Sequence, residues 1–319
     1  MFNRIPLVLM MLLATSMAFV SCSKDDEDDD KNTTTPNIVE LAQTDTSLTS
    51  LVAAVVKAGL ADELSADGNL TVFAPTNAAF SAFLSANGFA TLEDVPNALL
   101  TQVLLNHVVA GKLLSTDLTT GYQSTLATYG TTTSNLKVYV STASGVVLNG
   151  TSTVTAANLN ASNGVVHKVN TVIGLPILPT FALADPNFST LVAAITRPGL
   201  TTDYVAALSG AGPLTVFAPT NDAFAALLTE LGLTALDDVP TATLEAVLNY
   251  HVVSGNILAG SLTDGQVVTP LGSGTFTIGL TGGAKITDGS NRVTNIIATD
   301  VQANNGVIHA IDRVLVPAP

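Results

Sequence analysis

Histidine is the residue type in this chain that is best suited to chemistry near neutral pH. The 319-residue sequence holds four histidines, which occur as two pairs at matching places in the two halves of the chain: His107 with His251, and His167 with His309. An imidazole can act as a general base or bind a metal ion. The residues around each pair must therefore decide between a chemical and a structural role.

Those surrounding residues favour neither a metal site nor a catalytic centre. A metal site would need two histidines close in sequence, a cysteine pair or a carboxylate cluster, and Cys22 is the only cysteine. Serine and threonine are abundant, but none lies in the glycine-framed turn that presents a nucleophile. We expect no metal, no cofactor and no enzymatic activity; a hydrolase that uses one of the matched histidines is the least favoured alternative.

Strand periodicity predicts a structural role for the second histidine pair. Alternate residues of a strand share a face, and two valines flank His167 on its face within residues 163–169. Residues 305–311 repeat this arrangement around His309. We expect both rings to point inward as neutral imidazoles that donate to one partner.

The histidines belong to a larger sequence repeat. Residues 71–80 begin Thr-Val-Phe-Ala-Pro-Thr-Asn, and nine of their ten positions recur in residues 215–224. The first three residues favour a strand, the proline ends it, and the next two polar residues can cap a helix. The capping candidates are Thr76, Asn77, Thr220 and Asn221. The repeat therefore predicts a structural corner, and the alternative of a substrate loop lacks a nucleophile or a glycine-rich phosphate cradle.

The rest of each copy predicts the same order of elements. Apolar residues spaced by three and four after Asp45, and again after Asp185, predict an amphipathic helix. A second helix is predicted just before His107 and before His251. Segments within residues 136–148 and their counterparts within 275–287 are typical of hairpins, and a linker is expected at 174–179.

Composition limits the class of partner. The formal net charge is −14, and residues 25–30 supply six consecutive acids. The remainder is also acidic, which repels phosphate backbones and anionic headgroups, so we expect no nucleic-acid partner. A hydrophobic content of 47% leaves enough apolar surface for two cores.

The N-terminus predicts export and anchoring. The apolar run 7–20 follows a single basic residue and is too short to span a bilayer, so residues 1–21 are expected to be a signal peptide. The small residue before Cys22 makes this region resemble the lipobox of bacterial lipoproteins, in which the cysteine after the cleavage site is acylated. That resemblance implies lipid attachment at Cys22 and contact with a membrane through the anchor only.

Residues 22–36 are expected to be the lipidated cysteine and an acidic, flexible tether. The Lys-Asp-Asp that closely follows the cysteine resembles the signal that places some Gram-negative lipoproteins on the outer face of the outer membrane. A plain spacer, with an anchor that faces the periplasm, is the alternative.

The chain resembles the fasciclin-domain family twice over. Three features carry the resemblance: the duplicated corner, the Tyr-His dipeptide after a helix and the closing Asn-Gly-Val-hydrophobic-His strand. The resemblance covers about residues 37–176 and 177–317. It implies an α+β fold of two tandem fasciclin domains, each a wedge-like β-sandwich packed with several α-helices. It also implies a use in extracellular adhesion and matrix contacts.

Candidate contact residues follow from the same resemblance. In animal members, integrin adhesion is associated with the Tyr-His dipeptide and with an Asp-Ile dipeptide near the last strand. The matching positions in the second half are Tyr250, His251, Asp300 and Val301, whereas the first half departs from both dipeptides. The alternatives are a core ring for Tyr250 and a turn residue for Asp300.

These observations together predict a lipid-anchored, non-catalytic surface protein that binds a protein or glycan partner. An accessory lipoprotein that holds a glycan or a small apolar molecule between helices and sandwich is the first alternative. An enclosed pocket lined by aromatic residues would favour that alternative.

Overall fold

The computed structural model describes residues 35–319, so the predicted signal peptide, Cys22 and residues 22–34 of the tether lie outside the described part. Two domains follow one another in the described chain. The first domain contains five α-helices and seven strands: α1 (Ile38–Thr44), α2 (Thr49–Ala58), α3 (Ala61–Ser65), α4 (Asn77–Ala86), α5 (Asn97–Leu105), β1 (Leu70–Pro75), β2 (Val108–Ala110), β3 (Gly121–Thr128), β4 (Asn135–Ser141), β5 (Val147–Leu148), β6 (Ser152–Ala161) and β7 (Gly164–Val169).

The second domain repeats this order of elements. Its helices and strands are α6 (Leu178–Ala184), α7 (Ser189–Ile195), α8 (Tyr204–Ser209), α9 (Asn221–Leu231), α10 (Thr241–Tyr250), β8 (Leu214–Pro219), β9 (Val252–Ser254), β10 (Val267–Val268), β11 (Phe276–Gly279), β12 (Lys285–Thr287), β13 (Val293–Ala303) and β14 (Gly306–Ile311). The predicted strand-to-helix corners are confirmed, because β1 runs into α4 and β8 runs into α9.

Each sheet has the same strand order but a different closure. The first strand of each domain pairs in parallel with the last, β1 with β7 and β8 with β14, and antiparallel with the second strand. In the first domain β2 also pairs with β3, and the seven strands close into a barrel. In the second domain the sheet stays open, with β10 at one edge and β9 at the other.

The core of each domain has two layers because alternate residues of the first strand point to opposite faces. In β1, Val72 and Ala74 face the helices and contact a cluster that includes Phe80. Between them, Phe73 points to the inside of the sheet, where it packs with Val138. The predicted α+β fold, in which several helices pack on the sheet of each domain, is therefore confirmed, since β8 divides its residues in the same way.

The segment that joins the domains differs from the prediction. Leu178 and Pro179 belong to α6 rather than to the linker, because proline is tolerated in the first turn of a helix. The backbone before them is held in place, since the amide of Asn304 donates to the Pro176 carbonyl at 2.7 Å. The first domain uses the same contact at its own start, from the Ser162 amide to the Pro36 carbonyl at 3.0 Å.

Candidate functional site

The first pair of matched histidines lies at the ends of helices α5 and α10. His107 is 1% exposed, and its Nδ1 lies 2.7 Å from the Val103 carbonyl while the amide of Ile173 donates to its Nε2 at 2.8 Å. A carbonyl can only accept and an amide can only donate, so the ring is neutral with its proton on Nδ1. Burial lowers the pKa of His107 to about 4, which keeps this form at neutral pH.

His251 has the same geometry in the second domain. Its Nδ1 lies 2.7 Å from the Val247 carbonyl, and the amide of Leu315 donates to Nε2 at 2.9 Å. Burial lowers its pKa to about 4 as well. Each ring therefore joins the end of a helix to a segment more than 60 residues further along the chain.

The second pair lies inside the sandwiches and is also engaged on both ring nitrogens. His167 Nε2 donates to the Leu113 carbonyl at 2.9 Å, and the amide of Asn158 donates to Nδ1 at 3.3 Å. His309 makes the matching contacts with the Ile257 carbonyl at 2.8 Å and the Asp300 amide at 3.4 Å. Each ring thus donates to one partner, as predicted, and it also accepts from an amide that an irregularity in the neighbouring strand turns towards it.

None of the four imidazoles is free to act as a base or to bind a metal ion in this arrangement. Every ring nitrogen is paired with a backbone group, and all four histidines lie in the described chain. Within residues 35–319 there is also no group of three or more His, Cys, Asp or Glu residues placed to hold a metal ion. The chemistry that these residues carry out is hydrogen bonding between distant parts of the backbone.

Each Thr-Asn corner caps one helix and also joins it to a second helix. Thr76 Oγ1 accepts from the Ala79 amide at 3.4 Å and so caps its own helix, α4. Asn77 Oδ1 instead accepts from the Ser50 amide at 2.8 Å, in the first turn of α2. In the second domain Thr220 and Asn221 repeat both contacts, with the amides of Ala223 and Thr190.

Three of the four candidate contact residues are buried, which corrects the expectation that they touch a partner. Tyr250 is fully buried, and its hydroxyl donates to the Thr275 carbonyl at 2.6 Å and accepts from the Gly289 amide at 2.9 Å. His251 is 3% exposed and Val301 is 4% exposed. These three side chains stabilise the domain from its interior.

Asp300 is the candidate that reaches the surface, where it is half-buried. It has a left-handed backbone, with φ of 58°, and its Oδ1 accepts from the Ala259 amide at 2.8 Å. Asn158 occupies the same place in the first domain, with φ of 62°, and accepts from the Ser115 amide. Aspartate and asparagine tolerate this conformation better than most residues, which explains the residue type at both positions.

A polar cleft that the sequence did not predict lies between the two domains. This interdomain cleft has a volume of about 480 Å³, and its walls include Tyr122 and Tyr139 from the first domain and Asp185, Asp222, Ile297 and Ala310 from the second. Asp185 is buried and accepts from the Tyr122 hydroxyl at 2.9 Å across the domain boundary. Burial, followed by the nearby Asp185, raises the pKa of Tyr122, which therefore keeps its donor proton.

The place in the first domain that corresponds to this cleft contains a lysine side chain. There Asp45 accepts from Lys168 Nζ at 2.6 Å, and this hydrogen bond is the main reason why the pKa of Asp45 is lowered to about 2. Residue 310 takes the register position of Lys168 and is alanine. The closing segments 163–169 and 305–311 differ at three positions, and the change from Lys168 to Ala310 is the one that removes a charge; this change was the sequence signal for the cleft.

The apolar spaces between helices and sheet are much smaller. The space beside His251 has a volume of about 40 Å³ and the one beside His107 about 30 Å³. Such a volume is comparable with the share of one water in the liquid, about 30 Å³. Neither space holds a glycan or a drug-sized molecule in this conformation. No helix within residues 35–319 has the length and apolar character needed to cross a membrane.

Comparison with known families gives a repeated match. The sequence model of the Fasciclin domain matches residues 46–176 and again residues 186–317. The two matches together cover most of the chain.

Individual relatives come from several kinds of organism. Periostin of Homo sapiens is 32% identical over 262 residues, which is 81% of this chain and 29% of periostin. The transforming growth factor-beta-induced protein ig-h3 of Sus scrofa is 31% identical over 81% of this chain and 36% of its own length. The chain thus spans about a third of the length of these two relatives. Protein sll1483 of Synechocystis is 43% identical over 139 residues, 43% of this chain and 71% of that protein.

A solved structure shares the fold. A FAS1 domain pair from the insect cell adhesion molecule fasciclin I aligns with a TM-score of 0.52 and 18% identity. The alignment covers 85% of this chain and 97% of that domain pair.

Proposed function

Because this chain belongs to the fasciclin-domain family, we propose that it is a non-catalytic adhesion or interaction protein of the cell surface. In this proposal Cys22 carries a lipid, residues 22–36 form the tether, and fasciclin domains at 37–176 and 177–317 bind a protein or glycan partner. The anchor lies in the outer membrane with the domains on its outer face. An anchor that faces the periplasm is the alternative location.

The observation that carries this proposal is the complete use of the four imidazoles by backbone groups. The residues best suited to catalysis, among them His107 and His251, instead join distant segments of each domain. Because these histidines stabilise the folded domains, we infer that the protein acts by presenting its surface to a binding partner. The one solved relative described above is a cell adhesion molecule, which supports the same class of function.

Two linked domains also favour binding over catalysis. When one domain holds a partner, the second meets the same partner or a neighbouring copy at a raised effective concentration. Avidity then grows without new contacts, which suits attachment to an extended surface.

The proposed function is tested by deletion of the gene and complementation. Cells without the protein should attach to one another or to a surface less well, and the wild-type gene should restore attachment. A Cys22→Ser variant is the matched control, because it leaves residues 37–317 unchanged and removes the site of acylation. It should be exported but released from the membrane, and should fail to restore attachment.

Location is tested on the same strains. External protease should remove the wild-type protein from intact cells if the domains face outwards. Protection from protease until the outer membrane is opened would place them in the periplasm. Unchanged attachment after deletion, under several growth conditions, would contradict the adhesion function.

A further inference from the structure

The corresponding corners of the two domains carry different charges. In the first domain Asp45 lies beside Lys168, so the charges of this corner balance. In the second domain Asp185 keeps the role of Asp45, since its Oδ1 accepts from the Asn187 amide as Asp45 accepts from the Ser47 amide. The lysine, however, is replaced by Ala310.

A second substitution makes the corner of the second domain more acidic. The single mismatch between the two strand-to-helix segments places Asp222 where the first domain has Ala78. Asp222 is exposed and lines the interdomain cleft together with the buried Asp185. The same corner therefore changes from one acid and one base to two acids, and Ala310, which takes the position of the lysine, lines a cleft of about 480 Å³.

We propose that the interdomain cleft binds a lysine side chain of a protein partner, with its ammonium group between Asp185 and Asp222. The first domain supplies the template for this contact, because Lys168 Nζ approaches the equivalent carboxylate at 2.6 Å. The inference rests on the proposed function and deepens it, since it names the chemistry by which the partner is recognised.

The walls of the cleft suit both parts of a lysine side chain. Lysine buries its methylene stem along apolar surface and keeps its charged end near polar groups. Ile297, Ala298 and Ala310 give the cleft an apolar wall from β13 and β14, and Ile297 is 56% exposed. On the other side the Tyr122 hydroxyl occupies Asp185 Oδ2 at 2.9 Å, the oxygen that corresponds to the one bound by Lys168.

A carboxylate has about four acceptor sites, and Asp185 uses three of them for the Tyr122 hydroxyl and for the amide and side chain of Asn187, so one acceptor site remains for an ammonium group. Tyr122 holds the carboxylate in place from the first domain, and the cleft remains open on the side of Asp222. Both domains are therefore needed to build the site, which is absent from either domain alone.

The test is an NMR titration of the purified, ¹⁵N-labelled protein with Nα-acetyl-lysine N-methylamide. Nα-acetyl-norleucine N-methylamide is the control compound, because it has a similar apolar stem and no ammonium group. The lysine compound should shift the amides of Asp185, Asn187, Phe188 and residues 220–222 in a saturable way and bind about tenfold more tightly than the norleucine compound. Equal affinity for the two compounds would overturn the proposal.

Variants locate the site. Ala310→Lys restores the lysine of the first domain and should fill the cleft from within, so the affinity for the lysine compound should fall about tenfold. Ala207→Lys adds the same charge on the exposed face of α8 and should bind like the wild type. Asp222→Ala introduces the residue that the first domain has at the equivalent position, Ala78. Because Asp222 is exposed, the substitution should not disturb the fold. It should weaken binding about threefold, which is in the range of one exposed ion pair.

Wild-type affinity in a folded Ala310→Lys protein would contradict the site, and circular dichroism checks that folding. If the titration fails while deletion of the gene reduces attachment, this site is wrong and the proposed function stands. If the lysine compound binds but deletion changes nothing, the site stands and the adhesion function is wrong.

Discussion

The first domain has Asn106 at the place where the second domain has Tyr250, and the two sheets differ beside it. The Asn106 amide donates to the carbonyls of Ile173 and Gly174, and Thr125 in β3 donates to its side-chain oxygen at 3.2 Å. In that domain β3 pairs with β2 and the sheet closes.

Tyr250 fills the same place with a ring that packs edge-on against Phe276 at 5.8 Å between centroids. The hydroxyl reaches the Thr275 carbonyl, next to β11, and the sheet remains open between β9 and β10. The domain with the small amide therefore has a sheet closed by strand pairing, whereas the domain with the buried aromatic ring has an open sheet whose gap is packed by side chains. The two copies of the repeat therefore share the helices and the central strands and differ in the way in which each sheet is completed.

The largest effect is expected from Tyr250→Ala. Removing a large buried aromatic ring costs about 3–5 kcal/mol of unfolding free energy, because a cavity remains and two backbone groups lose their partner. Urea unfolding followed by circular dichroism measures the loss, and hydrogen exchange should locate it in α10, β9 and β11. Asn106→Ala is the matched change in the first domain and should cost less, since no ring is lost; equal costs would contradict the difference between the domains.

Acid should act on both domains alike through His107 and His251. Burial lowers the pKa of each folded-state ring from 6.5 to about 4, so the unfolded chain binds more protons between these values. The free energy of unfolding should therefore be independent of these two rings above pH 6.5 and fall as the pH drops to about 4. At 1.36 kcal/mol per unit, each ring accounts for up to about 3 kcal/mol.

Urea unfolding at a series of pH values measures this loss, and burial lowers the pKa of His167 and His309 in the same direction. NMR titration of the imidazole signals separates the rings. A folded-state pKa near 6.5 for either His107 or His251 would contradict the paired geometry described for that ring.

A smaller effect is expected from Tyr122→Phe, which removes the hydrogen bond between the domains. Hydrogen bonds to charged groups contribute about 1.5–3 kcal/mol, and we expect about 1.5 kcal/mol because Tyr122 is only half-buried. Hydrogen exchange should rise around Asp185 and α6. Tyr129→Phe is the control, since the Tyr129 hydroxyl makes no hydrogen bond within residues 35–319, and an equal loss there would contradict the role of Tyr122.

The smallest effect is expected from Lys168→Met. The Lys168 and Asp45 side chains are 22% and 26% exposed, so we expect a loss near that of a surface ion pair, about 0.5–1 kcal/mol at neutral pH. The hydrogen bond from Lys168, followed by those from Ser47, lowers the folded-state pKa of Asp45 from 3.8 to about 2, so the unfolded chain binds more protons in that window and wild-type stability falls as the pH drops through it, in part because of Lys168. The variant should lose this part of the pH dependence, whereas Lys137→Met, at a lysine bonded only to Ser124 within the described chain, should keep it.

Much of the fold could be predicted because its signals are local. The spacing of apolar residues marked α2 and α7, and Pro75 with Thr76 marked the end of β1 and the start of α4. The hairpins were predicted as well, since β4 pairs with β5 and β11 with β12. Strands β3 and β6 were missed, because their residues are largely polar or half-buried and carry no continuous apolar run.

The contact residues could not be predicted in the same way. The Tyr-His dipeptide marks a repeated position, but sequence spacing does not show on which side of the sheet a side chain at a helix end lies. Burial of Tyr250 depends on Thr275 and Gly289, which are distant in sequence. The interdomain cleft was hidden for a similar reason, since Tyr122 and Asp185 lie 63 residues apart and meet only when the domains pack.

The sequence by itself determined that there are two copies of one architecture, where most of their helices and inner strands lie, and that the four histidines occupy equivalent positions. These properties depend on short-range periodicity and on duplication, both of which are visible in one chain. Only the tertiary structure decided that both nitrogens of each imidazole are bound, that one sheet closes while the other stays open, and that an acidic cleft forms at the domain boundary. Those outcomes depend on contacts between residues tens of positions apart, and such contacts exist only once the backbone has folded.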